Sequence, residues 1–123
     1  MKQVFKGYQE LARENTIHRD LKPANILINN GLFKICDFGF SKVIKDPNTA
    51  LKTCVGSPIY MAPQILEKKD YSAKCDIWSL GVIYYELLHG NVPWSARSES
   101  ELLQNIKNVA LKFMHNPPLS KET

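Results

Sequence analysis

The chain has 123 residues, 44% of them hydrophobic and 23% charged, which is enough for about one small domain with a core and argues against wholesale disorder. Its formal net charge of +4 carries no run of like charge and no basic cluster interleaved with aromatics. No nucleic-acid or membrane-surface patch is therefore expected, and the small excess fits either phosphate-bearing partners or an ordinary solvated surface. No apolar stretch approaches the roughly 18 residues of a membrane span or makes the core of a signal peptide, so a cytoplasmic protein without a transmembrane segment is expected. Cys36, Cys54 and Cys75 are odd in number, widely spaced and form no Cys-x-x-Cys pair, which favours reduced, buried thiols over a zinc site or disulfide framework.

Val4, Phe5, Tyr8, Leu11 and Ala12 recur at helical spacing, so residues 2–14 are expected to form a helix with one face inward. No capping residue precedes it, as though the chain began partway through an element. Two short apolar runs follow, Ile26-Leu27-Ile28 and Leu32-Phe33-Lys34-Ile35, separated by Asn29-Asn30-Gly31. Asn-Gly tolerates positive φ at both positions, so the runs read as a tight hairpin.

Residues 40–60 are polar and without a clear period, and read as a long loop. Ser72 is placed to cap a helix that is apolar almost all round (Ile77, Trp78, Leu80, Val82, Ile83, Leu87 and Leu88) and so is expected at the centre of the domain. Gly90 closes it and Pro93 prevents its continuation. Ser98-Glu99-Ser100-Glu101 has the form of a capping box, opening a helix with Leu102, Leu103, Ile106, Val109 and Ala110 on one face.

The hairpin gathers a set of chemical groups. A two-residue turn at Asn30-Gly31 pairs residues whose numbers sum to 61, which sets Asn25 opposite Cys36 with Asp37 one step along. Opposed residues lie about 5 Å apart. An amide oxygen and a carboxylate thus meet at the hairpin's open end, and both are hard oxygen ligands of the kind Mg²⁺ takes. Asp20 lies five residues before Asn25 on a loop held by Pro23, where a carboxylate is able to accept a proton from a hydroxyl and Lys22 to steady a phosphate. Spacing by itself leaves open that these Asn and Asp residues are turn formers.

The literal residues add a resemblance. His18-Arg19-Asp20-Leu21-Lys22-Pro23-Ala24-Asn25 resembles the catalytic loop of protein kinases, and Asp37-Phe38-Gly39 resembles their metal-binding triplet. Gly56-Ser57-Pro58-Ile59-Tyr60-Met61-Ala62-Pro63 is similar to the end of their activation loop, and Asp76-Ile77-Trp78-Ser79-Leu80-Gly81 to the start of their central helix. The four motifs stand in the family's order and spacing along essentially the whole chain.

The resemblance implies an α+β fold of the protein-kinase C-lobe type: mainly helical, with a short β-hairpin carrying the catalytic and metal-binding loops, and without the N-lobe. Residues 1–123 would be a partial kinase domain, from the helix before the catalytic loop to just before the final helices. It implies ATP and Mg²⁺ as cofactors and protein substrates as partners. Asp20 would be the catalytic base, Lys22 would contact the transferred phosphate, and Asn25 and Asp37 would hold magnesium. Lys22, Asn25, Leu27 and Asp37 would be this chain's share of the ATP site. Arg19, helped by Lys42, would bind a phosphate on the activation loop, and Thr53 is where an activating kinase would add one. A solvated loop threonine is the other reading of Thr53. His18 and Phe38 would be stacked core residues linking two lobes, Gly39 completes the triplet, and Asp76 would brace the catalytic loop through its backbone amides. Lys22 with Gly56-Ser57-Pro58 looks like the serine/threonine class. Val55–Pro63 with Asp37–Phe40 most resembles the autophagy-initiating branch.

Departures accompany these matches. No glycine-rich phosphate loop, strand lysine in a Val-Ala-x-Lys context or partner glutamate precedes the catalytic loop. The family's Ala-Pro-Glu reads Ala62-Pro63-Gln64, and Leu119–Thr123 looks like the lead-in to a further helix. The expected function is transfer of the γ-phosphate of ATP to serine or threonine hydroxyls of proteins, with the isolated chain inactive for want of the N-lobe. The alternative is a non-catalytic binding or scaffold module acting through the Leu102–Ala110 helix. Cys36 reads as a small strand-end core residue or else a reactive thiol. His89 and His115 read as surface residues, and Trp78 and Trp94 as packing residues.

Overall fold

The computed structural model describes residues 1–46 and 49–113. His115 and the Leu119–Thr123 segment lie outside the described residues. Among the described residues, four α-helices and two small antiparallel sheets follow in the order α1 (Lys2–Arg13), β1 (Thr16–Ile17), β2 (Ile26–Asn29), β3 (Leu32–Ile35), β4 (Lys42–Val43), α2 (Pro63–Leu66), α3 (Lys74–His89) and α4 (Glu99–Asn108). One-turn 3-10 helices at Pro23–Asn25 and Pro58–Tyr60 each begin on a proline, whose fixed φ suits a first helical position.

The hairpin forms in the register the sequence predicts. Ile26 pairs with Ile35, Leu27 with Lys34, Ile28 with Phe33 and Asn29 with Leu32. Asn30 and Gly31 have φ of 50° and 75°, both in the left-handed region that a twisted two-residue turn requires. One step beyond the ladder, the Cys36 N–H donates to the Asn25 carbonyl at 2.9 Å. Helix α1 packs on β3 and β1. It buries only Val4 and leaves Phe5 exposed.

The stretch read as a featureless loop is pinned at several points. Lys42 and Val43 form β4 against β1, with Thr16 opposite Val43 and Ile17 opposite Lys42. Leu51 and Tyr71 exchange both backbone hydrogen bonds. Two-residue pairings carry too little periodicity to be seen in a sequence, and their anchors Ile44 and Leu51 are isolated apolar residues that turn out to be buried.

Two apolar clusters make the core. One gathers Ile17, Ile44, Leu51, Met61, Ile65, Tyr71 and Cys75, the other Val4, Leu21, Leu80 and Ile83. Helix α3 joins them, giving Cys75 to the first and Leu80 and Ile83 to the second. Its start differs from the expected cap at Ser72: Ala73 is the N-cap and Lys74 the first helical residue, and the Ser72 hydroxyl accepts the Lys74 N–H at 3.4 Å. Helix α3 is less enclosed than its composition predicts, because Ile77 and Leu87 are exposed while Leu80, Val82 and Ile83 are buried. It stops at Gly90, whose φ of 75° forms the left-handed cap.

Helix α4 starts as predicted, with the Ser98 hydroxyl accepting the Glu101 N–H at 3.1 Å. The Glu101 carboxylate reaches back to the N–H of Arg97 at 2.8 Å, one residue earlier than a capping box has it. The helix ends at Asn108, so Val109 is its C-cap and Ala110 lies beyond it. Trp78 and Trp94 stack with centroids 5.8 Å apart and planes 9° from parallel. His89 is packed rather than free on the surface: its ring lies 4.3 Å from Tyr85 and 6.0 Å from Phe113. Cys75 is buried, Cys36 half-buried and Cys54 exposed, and all three are free thiols. The expectation of buried thiols is thus corrected at Cys54, which lies in the exposed Lys52–Cys54 run of the loop.

Candidate active site

Asp76, near the start of α3, organises the loop in front of it. Its Oδ2 accepts the backbone N–H of His18 at 2.8 Å and its Oδ1 that of Arg19 at 2.9 Å. These two bonds hold Arg19 at φ 68°, a conformation that a residue with a Cβ adopts only under such constraint. Asp76 is 1% exposed. Burial pushes its carboxyl above the usual range, against the opposing pull of the His18 and Arg19 amides. Burial, then the Asp76 charge, pushes the neighbouring Cys75 thiol up to about 12, so that thiol is inert at neutral pH.

The chain then turns so that Asp20 lies 6% exposed among partners on three sides. Asp20 Oδ1 accepts both the backbone N–H and the hydroxyl of Ser57, each at 2.9 Å. Asp20 Oδ2 pairs with Lys22 Nζ at 3.0 Å and accepts from Asn25 Nδ2 at 3.2 Å. Asn25 also donates to the Asp20 carbonyl at 2.9 Å, and Lys22 donates to the Ser57 hydroxyl at 2.8 Å. Burial alone would raise Asp20, but the bonds from Lys22 and Ser57 and the Lys22 charge outweigh it and hold the carboxyl below the ordinary range. Asp20 is thus an ionised carboxylate at neutral pH, with its oxygens oriented by four donors.

Gly56 makes this approach possible. Its φ is 111°, and a Cβ there would lie 2.4 Å from the Arg19 carbonyl oxygen. The loop bearing Ser57 meets the loop bearing Asp20 only because residue 56 has no side chain.

Asp37 follows Cys36 with φ 62°, exposed, its Oδ1 accepting the Gly39 N–H at 3.2 Å. Phe38 is 46% exposed within this chain, and its ring meets the buried His18 edge-on at 5.2 Å. His18 Nε2 lies 3.0 Å from the Cys36 carbonyl, tying the Asp20 loop to the hairpin end. Leu27 is exposed on β2.

Among the described residues no three His, Cys, Asp or Glu side chains converge as a metal cage. The donor set that fits a cation is one amide and one carboxylate. Asn25 turns its Nδ2 toward Asp20, which leaves its Oδ1 as a hard ligand, and Asp37 is solvent-facing. Two such oxygens suit Mg²⁺, which keeps several waters and takes substrate phosphates.

Arg19 links the start of the loop that carries β4 to the stretch before α3. Its Nε donates to the Phe40 carbonyl and its Nη1 lies 3.5 Å from the Tyr71 hydroxyl. Thr53 is exposed two residues beyond the buried Leu51. Lys42 is exposed on β4, opposite Ile17. Tyr60 donates to Glu86 Oε2 at 2.9 Å, and burial with that partner pushes its phenol up to about 12.

Ser57 and Tyr71 take parts that the sequence does not announce. Ser57 stands inside a recognised motif, but nothing in the sequence shows that its hydroxyl meets a residue 37 positions away. Tyr71 sits in the unmarked stretch before α3.

Residues 1–122 match the protein kinase domain family. Serine/threonine-protein kinase atg1 of Dictyostelium discoideum is 43% identical over 117 residues, covering 92% of this chain and 17% of the relative. Serine/threonine-protein kinase ATG1b of Arabidopsis thaliana is 44% identical over 118 residues, covering 92% and 16%. Serine/threonine-protein kinase SKM1 of Saccharomyces cerevisiae is 38% identical over 125 residues, covering 100% and 19%. The chain thus spans less than a fifth of the length of these curated relatives. Two of the three carry the ATG1 name, in line with the branch that the Val55–Pro63 stretch resembles. Matched along its length and similar to serine/threonine kinases from three organisms, this chain belongs to the protein kinase domain family.

Proposed function

We propose that the site is the substrate-facing half of a serine/threonine protein kinase centre, in a C-lobe spanning residues 1–123. It would transfer the γ-phosphate of ATP to a protein hydroxyl. The observation that carries this reading is the bonding of Asp20 to Lys22, Ser57 and Asn25. A carboxylate kept ionised and oriented in this way is prepared to receive the proton of an incoming serine or threonine hydroxyl. Lys22, already beside Asp20, supplies a positive charge for the phosphoryl group in flight. Magnesium, when held by Asn25 and Asp37, would neutralise the nucleotide phosphates.

Arg19 is the proposed docking point for a phosphate on Thr53, placed there by an activating kinase, with Lys42 as its helper. Cytoplasmic residence fits the reading, and no helix among the described residues is long and apolar enough to cross a membrane. The sequence lacks the glycine-rich loop and strand lysine that grip ATP in this family, so these 123 residues alone are proposed to be inactive.

A non-catalytic scaffold acting through α4 has less support. The first apolar residue of that helix, Leu102, is already buried within the chain. Asp20→Asn in the longest polypeptide that carries these residues is expected to lower phosphorylation of a generic protein substrate by about a hundredfold or more. Unaltered phosphorylation would sink the catalytic reading and return the scaffold to first place.

A further inference from the structure

Between β4 and Ser57 the chain carries Thr53 and Cys54, both exposed. Such a stretch would be free to move were it not fastened. Leu51 is fastened through its backbone, donating to Tyr71 O at 2.9 Å and accepting from Tyr71 N at 3.0 Å. Two residues on, the Tyr71 hydroxyl donates to the Thr53 carbonyl at 2.6 Å. The same hydroxyl is 3.5 Å from Arg19 Nη1, on the loop that carries Asp20. Tyr71 is 6% exposed, packed in the cluster with Ile17, Ile44 and Cys75.

We propose that Tyr71 is a positioning residue whose hydroxyl latches the Thr53 segment and registers it against Arg19. One buried residue thus grips the loop at two places, by its backbone at Leu51 and by its phenol at Thr53. The ring fills core space, so the hydroxyl presents a fixed point to both partners. The phenol gives its single proton to the Thr53 carbonyl and receives one from the guanidinium, so its donor and one acceptor site are both used. Arg19 is held on its other edge by the Phe40 carbonyl. The guanidinium is therefore aimed at the loop before any group is added to Thr53. The latch is built from bonds inside the chain and goes beyond the phosphoryl-transfer reading without depending on it.

Trypsin supplies a local test, because Lys52 is exposed and lies next to Thr53. Cutting there requires the segment to open, and the rate follows the population of the open form. In the longest polypeptide that carries these residues, Tyr71→Phe removes one oxygen and leaves the ring. The cut after Lys52 is expected to speed up roughly fivefold or more, because the bond to Thr53 and the link to Arg19 are lost together. The cut after Arg97, just before α4, is expected to stay unchanged. Combined with Arg19→Lys, the effects should fall short of additive, since both remove the same link. An unchanged Lys52 rate, or acceleration of both cuts together, would overturn the latch. If Tyr71→Phe does not fold, a fluorinated tyrosine at position 71 keeps the shape and strengthens the donor. It should slow the Lys52 cut, and no slowing would equally overturn the proposal.

Discussion

The Asp76 carboxylate holds the backbone N–H of His18 at 2.8 Å across 58 positions of sequence. With the matching bond to Arg19, it converts a loop into a fixed platform for Asp20. Asp76→Ala would leave one buried and one half-buried N–H group without acceptors. The expected loss is about 3 kcal/mol, read as a lowered denaturant midpoint in the longest polypeptide that folds. Asp76→Asn, which keeps an acceptor oxygen, should lose less.

Asp20 and Asp76 give opposite pH dependences. The folded-state value of Asp20 is depressed by Lys22 and Ser57. Its contribution is present above the unfolded value of about 3.9 and is lost as pH falls through the folded value. Asp76 is raised by burial, so its contribution is present below about 3.9 and is lost as pH rises through its folded value. Denaturant titrations of wild type and Asp20→Asn should therefore show a constant gap from pH 7 down to about 4 and a shrinking gap below. A gap that widens on acidification would contradict the assignment.

Gly56→Ala tests the approach of the two loops. The added Cβ would meet the Arg19 carbonyl at 2.4 Å, with φ 111° already strained for alanine. A loss of about 2 kcal/mol or more is expected. Gly31→Ala is the control: its φ is 75°, yet nothing lies within 4 Å, so it should lose about 1 kcal/mol. Similar losses at both positions would mean that backbone strain, and not the clash, sets the effect.

Ser57→Ala removes a hydroxyl shared by Asp20 and Lys22. In an active polypeptide kcat should fall about tenfold or more with little change in fold, while Ser57→Thr keeps most of the activity. Steady-state phosphorylation rates check this.

Expressed alone, the chain should self-associate. Leu27, Ile28, Leu32, Phe33 and Phe40 are exposed around the hairpin, and Ile77 and Leu87 on α3. Concentration-dependent light scattering and a broad, low thermal transition are expected. A cooperative, high-temperature unfolding of a monomer would be the opposite result.

The hairpin was legible because both of its determinants are local: a turn dipeptide that accepts positive φ and two apolar runs of matched length. The end of α3 and the start of α4 were legible because single residues decide them, Gly90 and Ser98. What escaped depends on partners far away in sequence. Lys42-Val43 becomes a strand only because Thr16-Ile17 lies beside it. Ile77 and Leu87 are exposed although the helix is apolar nearly all round, since burial depends on neighbours rather than on period. The site divides in the same way. Asn25 was placed opposite Cys36 by counting along the ladder, whereas the contacts of Asp20 with Ser57 and of Tyr71 with Thr53 arise from chain crossings that leave no periodic trace.

The two-residue turn at Asn30-Gly31 also works as a ruler. Asn25 and Asp37 flank opposite arms of one hairpin, so the number of residues at its tip decides which residue of the second arm stands opposite Asn25. Adding or deleting one residue there would reverse the parity of one arm, so that Cys36 would no longer stand opposite Asn25. Two extra residues would restore the parity and lengthen only the tip, which is open around Gly31. Insertions in this turn should therefore be tolerated in even numbers and rejected in odd ones, although the turn itself touches none of the chemistry.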